Sequence, residues 1–153
     1  MPCEENNYLS EHMALLRSSL LRLTGKDLIE TAGSDIEAAR SIFFAPFMLV
    51  SHNTDAEPIF NYANQTALRL FEMDWEEFVA TPSKNSAEAV DQEERSRLLA
   101  IVTAKGFIDN YSGIRISRRQ QRFMLQETII WNLADEAGNY RGQAALCYNW
   151  KLL

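Results

Sequence analysis

The last third of the chain carries three long strand-like runs in direct succession, and whatever else the chain does must cover the surface they make. Residues 107–117, FIDNYSGIRIS, alternate imperfectly. Residues 122–133, RFMLQETIIWNL, put Phe123, Leu125, Ile129, Trp131 and Leu133 at even separations, on one face of a strand. Residues 140–150, YRGQAALCYNW, do the same with Tyr140, Ala144, Leu146, Tyr148 and Trp150. Between the last two runs, Asp135-Glu136-Ala137-Gly138-Asn139 is turn chemistry, with Gly138 free to take a positive φ. Long strands joined by short turns predict an antiparallel meander.

Upstream, the period changes abruptly. In Pro58 to Phe71, PIFNYANQTALRLF, the strand-like Ile59-Phe60-Asn61-Tyr62 is followed almost at once by Ala67, Leu68 and Phe71 at helical spacing. Asn64 sits at the switch, and its amide oxygen can accept from a free N–H of the first helical turn, so the strand can pass into the helix without a loop. A preceding run, Phe47 to His52, reads as a buried strand, and Asn53 to Pro58 as a turn. Residues 74–78, DWEEF, read as a short helix capped by Asp74; residues 81–92 as a polar loop or broken helix; and residues 91–104 as a helix capped by Asp91, with Leu98, Ile101 and Val102 on its apolar side and Gly106 ending it. Nearer the start, residues 34–44 form a helix capped by Ser34 or Asp35, ended by Ala45-Pro46. Residues 8–24 form another, with Ser10 or Asn7 as cap and Gly25 as stop. Its apolar residues Leu9, Met13, Leu16, Leu20 and Leu23 make a seam that either packs on its own domain or meets a second copy in a homodimer.

Helix, helix, strand, strand, short helices, longer helix and three strands is an order that resembles the PAS domain. The resemblance includes residues: Tyr62, Asn64, Ala67, Leu70 and Phe71 at the strand-to-helix switch, the acidic Trp75-Glu76-Glu77-Phe78 helix, and the Asp135–Asn139 turn. Within that superfamily, the segments Ala45-Pro46-Phe47 with Ser51-His52, PIFNYAN, WEEF, SAE, GIRIS and GQAA followed by Trp150 resemble the MEKHLA domain, from about residue 39 to residue 150. The resemblance implies an α+β fold, a five-stranded antiparallel sheet with helices on one face, and a small-molecule pocket between them. It divides the chain into an N-terminal helical extension, residues 1–38, and a PAS-like domain, residues 39–153. MEKHLA domains also end plant homeodomain–leucine-zipper proteins, but no homeodomain or long zipper stands in this sequence, so their DNA-binding role does not carry over.

Chemistry is sparse. The formal charge of −6 disfavours capture of nucleic acid. The basic stretch with Arg115, Arg118, Arg119 and Arg122 reads as a solvated turn or as a contact for an acidic partner or a phosphate. Cys3 and Cys147 have no metal or redox spacing, which points to a reducing, cytoplasmic setting and no metal site. No secretory leader and no membrane span is expected. No nucleophile–base set or phosphate loop stands out, so the expectation is a non-enzyme. The resemblance allows two cofactor tests. A covalently reacting flavin wants a cysteine in the helical insert, where there is none; haem wants a histidine there, and the histidines are His12 and His52. Both are disfavoured, and no cofactor is predicted. His52 reads as a turn-bonded histidine or a sensor of pH or ligand. Glu127 is out of pattern among Leu125, Ile129 and Trp131. It is either a paired or edge carboxylate, or a polar group in a pocket with Trp131, Tyr148, Tyr62 and Phe71. Two functions follow: a sensory module that takes a small apolar or aromatic molecule and signals to an unidentified partner chain, or an interaction and dimerisation module without ligand.

Overall fold

The computed structural model describes residues 1–30 and 33–153. A turn of 3-10 helix at Glu4–Leu9 leads into α1, Ser10–Thr24, and α2 follows at Asp35–Phe43. Strands β1, Met48–His52, and β2, Phe60–Ala63, form a hairpin. Three helices come next: α3, Gln65–Phe71; α4, Trp75–Phe78; and α5, Ala89–Lys105, with a 3-10 turn at Ser83–Ser86 before the last. Strands β3, Phe107–Ile116, β4, Arg122–Ala134, β5, Tyr140–Cys147, and β6, Asn149–Leu152, complete the chain.

All strands pair antiparallel, in the order β2-β1-β5-β4-β3. The sheet has six strands rather than five because the last predicted strand breaks at Tyr148. β5 pairs with β4 at Ile129–Ala134, and β6 pairs with the other half of β4 at Phe123–Gln126. Among the described residues no helix is long and apolar enough to cross a membrane.

Local rules explain most ends. Gly25 ends α1 in left-handed geometry, and its N–H bonds the Leu21 carbonyl at 2.9 Å. Ser34 caps α2 by accepting from Glu37 N at 3.2 Å. Asp74 caps α4 in a capping box with Glu77. Neither Ser10 nor Asn7 caps α1. Asn7, Tyr8 and Leu9 are all left-handed, and Leu9 precedes the helix without a side-chain cap. Asp91 lies inside α5, whose first flanking residue is Glu88.

Asn64 does more than cap. Its Oδ1 accepts from Ala67 N and from Leu49 N, both at 3.1 Å. Its Nδ2 donates to the carbonyls of Phe47 at 2.7 Å and Ile42 at 3.2 Å. One fully buried amide therefore joins the end of α2, strand β1 and the start of α3.

The sheet is covered on both sides. Ala67, Leu68 and Phe71 of α3 and Phe78 of α4 pack on Met48, Val50, Phe60, Phe123 and Leu125. On the opposite face, Met13, Leu16 and Leu20 of α1 pack with Leu49, Tyr62, Trp131, Leu133 and Leu146. The seam residues are thus spent inside the protomer: Met13, Leu16 and Leu20 are buried, while Leu9 and Leu23 lie half-buried against the same cluster. Trp131 sits under this helix, and its indole N–H donates to the Leu16 carbonyl at 3.2 Å. A homodimer built on that seam is corrected by this packing; any dimer needs another surface.

β4 changes face halfway along. Phe123 and Leu125 point to the α3 side, but Ile129, Trp131 and Leu133 point to the α1 side. The inversion falls at Glu127, which is exposed and has a φ of 50°. A left-handed residue kinks a strand and breaks its alternation. The five residues that share parity in sequence therefore do not share a face.

His12 fastens α1 to β1. Its Nε2 lies 2.9 Å from Ser51 Oγ, and the Ser51 hydroxyl donates to Asn61 Oδ1 at 2.5 Å. With the hydroxyl proton committed, His12 Nε2–H is the donor. Burial, with Arg141 nearby, lowers the imidazole pKa from 6.5 to about 4. The groups around it are Ser51, the Tyr62 ring, Arg141 and, along the same groove, Glu11, Asp135 and Glu136. Because the folded pKa lies below the unfolded value, the stabilisation is complete above 6.5 and is lost as pH falls toward 4. Urea unfolding is expected to show about 3 kcal/mol less stability at pH 4 than at pH 7 from this group. His12→Gln keeps a donor at that position, and should flatten that part of the pH profile; an unchanged profile would assign it elsewhere.

Candidate functional site: a cavity under helix α5

Between the sheet and α3 and α5 lies a cavity of about 50 Å³. That is room for a few waters. It is well below the roughly 300 Å³ at which small-molecule pockets begin. Its apolar wall is built by Phe60, Phe71, Leu99, Leu125 and Ile130. The sequence puts these residues there for separate reasons. Phe60 and Leu125 are inward residues of two strands, Phe71 ends the helix that Asn64 starts, and Ile130 points inward only because Glu127 inverts β4.

Of the five residues nominated from sequence, Phe71 alone lines this cavity. Trp131 lies beneath α1 on the other side of the sheet. Tyr62 is on that side too, between His12 and Trp75, with its hydroxyl buried and without a hydrogen-bond partner; burial pushes its pKa up. Tyr148, 56% exposed, meets Phe47 edge-on at the strand break. Glu127 is in solvent. The parity argument fails for Glu127, Trp131 and Tyr148 through the two irregularities at Glu127 and Tyr148, whereas Tyr62 lies on β2, outside both.

The polar lining is of one charge. Arg95 and Arg115 are buried, 8% and 7% exposed, and both line the cavity. Arg95 donates to Ser83 Oγ. Arg115 donates to the Tyr111 hydroxyl at 3.2 Å and the Ile114 carbonyl at 2.9 Å, and its guanidinium lies 5.6 Å from the Tyr111 ring centroid. Among the described residues neither forms an ion pair, and no Asp or Glu lines the cavity. Burial, then repulsion from Arg115, lowers the Arg95 pKa to about 10, against a smaller opposing effect of Tyr111. Thr128 Oγ1 is buried there without a partner. His52 shares the lining. Its Nδ1 bonds the Asn53 carbonyl at 2.9 Å, so that nitrogen carries the proton, and burial lowers its pKa against the smaller opposing pull of that bond.

Sequence reasoning missed both arginines. Arg115 was grouped with a turn, but the stretch divides. Arg118 pairs with Glu77 at 2.9 Å and Arg122 with Glu88 at 2.6 Å, Arg119 is exposed, and Arg115 turns inward. Its signal was position: Arg115 lies two residues from Gly113 on a strand whose neighbours alternate, on the same parity as Tyr111. Arg95 gave no signal, because α5 is charged on most of its circumference.

A sheet in this order, with helices packed against the face that holds a cavity, defines a PAS-like domain. A sequence model of the MEKHLA domain matches residues 10–152, and the chain belongs to that family. The match takes in α1, which the resemblance had left outside the domain. No curated protein matches the chain in sequence. Solved structures similar to it include the PAS domain of a protein from Colwellia psychrerythraea, 12% identical with a TM-score of 0.63, covering 76% of this chain and 94% of that one. An RNA-binding light-oxygen-voltage receptor is 16% identical with a TM-score of 0.65, covering 79% of this chain and 34% of the receptor. The light-state dimer of the fungal blue-light photoreceptor Vivid is 12% identical with a TM-score of 0.58, covering 86% of this chain and 90% of that one.

Proposed function

We propose that this domain is a sensory module whose cavity takes a small molecule and whose occupancy is passed to a partner chain. The observation that carries the reading is the cavity itself: aromatic and aliphatic walls around buried polar groups that have no partner among the described residues. A chain selected only for stability gains by filling such a space or pairing such groups. The cavity is small because α5 lies close over it, and the described residues of α5 give it little apolar anchoring. Among the described residues of α5, Val102 is fully buried, Leu98 and Leu99 are partly buried, and Ile101 is 39% exposed. An outward shift of α5 would enlarge the space and move a surface helix, which is the kind of change a partner can read. The reading of the chain as a non-enzyme without haem or reactive flavin is kept within this proposal.

Native mass spectrometry of the protein as purified tests it. The expected result is a mass excess of one small molecule per chain, or uptake of one from a mixed set of charged and neutral small compounds. A bare chain mass that no compound in the set changes would overturn the proposal.

A further inference from the structure

We infer that the cavity under α5 is an anion site, built to take a small organic monocarboxylate between Arg95 and Arg115. This rests on the ligand-binding reading above and names the ligand's class. Each guanidinium offers five N–H donors. The described hydrogen bonds engage one residue partner on Arg95 and two on Arg115, and leave the rest without a protein acceptor. A buried cation without a counter-charge is costly, and two within electrostatic reach of each other cost more. Proteins usually resolve this with a carboxylate. Here, among the described ion pairs, Asp91, one turn before Arg95 on α5, does not pair with it, and its buried Oδ2 has no hydrogen-bond partner either. Of the other acids at α5, Glu88 pairs with Arg122, while Glu93 and Glu94 are exposed to solvent. The positive charge is therefore reserved at the cavity of a chain whose net charge is −6.

The chemistry of the walls narrows the anion. Guanidinium forks match planar carboxylates and phosphates alike. Phe60, Phe71, Leu125 and Ile130 surround the remainder of the space. Such walls favour a weakly hydrated monoanion with a short apolar body over a strongly hydrated dianion. Thr128 Oγ1, unpartnered in the same lining, supplies a neutral hydrogen bond to a second ligand oxygen.

Paired probes test this on the whole chain. Thermal unfolding and calorimetry are run with butyrate and benzoate, their neutral amides butyramide and benzamide, and inorganic phosphate, all at matched ionic strength. The expected result is that a carboxylate raises the melting temperature and binds about tenfold tighter than its amide, the factor expected from one charge-assisted interaction of about 1.4 kcal/mol. Arg115→Met and Arg95→Met should abolish the carboxylate response. They should also leave the unliganded protein as stable or more so, since each removes an unpaired buried charge. Equal binding of amide and carboxylate would overturn the anion site and leave the ligand-binding reading standing. Binding of phosphate alone would overturn the carboxylate. No response to any probe would count against both. If a methionine variant fails to fold, the carboxylate–amide comparison on the parent protein still decides.

Discussion

Asn64→Ala is expected to cost the fold about 3–5 kcal/mol, enough to consume much of the stability of a domain this size. The number follows from what the amide holds. Loss of a helix cap alone is worth about 1 kcal/mol. Asn64 also accepts from Leu49 N and donates to the carbonyls of Ile42 and Phe47, and it is fully buried, so water cannot replace it. Each backbone group left unpaired in the interior costs about 1–3 kcal/mol. The discriminating variant is Asn64→Asp. An aspartate is a good helix cap and favours the helix dipole, so a capping role alone predicts no loss. Here it would aim a carboxylate oxygen at two carbonyls that now receive N–H donors. Asn64→Asp is therefore expected to be at least as damaging as Asn64→Ala at pH 7. Chemical denaturation of the two variants checks this, and a stable aspartate variant would reduce Asn64 to a cap.

The same residue shows what can be read from a chain and what cannot. That Asn64 starts a helix was legible, because a cap is a local bond between neighbours in sequence. That it also reaches Ile42 and Phe47 was not, because those partners are fixed by how α2 and β1 dock. The meander was legible from strand period and the Asp135–Asn139 turn, where Gly138 takes a φ of 84° as expected. Which face each strand residue occupies was not. Alternation is a parity count, and one left-handed residue changes the count for everything beyond it. Glu127 carried the sign of this, since a charge among apolar residues of equal parity is where parity is broken; it reads from sequence as an edge or paired carboxylate or as a pocket group, and its exposure fits the first while the break in parity went unread. Gly142 gave no comparable warning. It takes a φ of 116°, and an added Cβ would overlap the His52 carbonyl across the β1–β5 pair. The candidate site was least legible of all. Arg95 and Arg115 lie on a helix and a strand, twenty positions apart by number, and only the closing of α5 over the sheet brings both to one cavity.

Trp131→Ala should carry the other large effect, about 3–5 kcal/mol, and it should fall first on α1. The indole is fully buried, is packed among residues of α1 and the outer sheet face, and supplies the one side-chain donor to the Leu16 carbonyl among the described hydrogen bonds. Truncation leaves a cavity too large for the helix to fill and removes that donor. Because the buried seam of α1 is what holds the helix on the sheet, amide hydrogen exchange in residues 10–24 should rise more than exchange in β1 or β5. Trp131→Phe keeps an aromatic of smaller volume, loses the indole N–H, and is expected to cost about 1–2 kcal/mol. The experiment also checks the inward packing of the seam. If Met13, Leu16 and Leu20 faced a second copy, truncating Trp131 would leave exchange in α1 unchanged and shift oligomeric state instead. With the seam packed inward, deletion of residues 1–24 uncovers Leu49, Trp131, Leu133 and Leu146 together. The truncated protein should aggregate or fail to fold, rather than survive as a stable monomer.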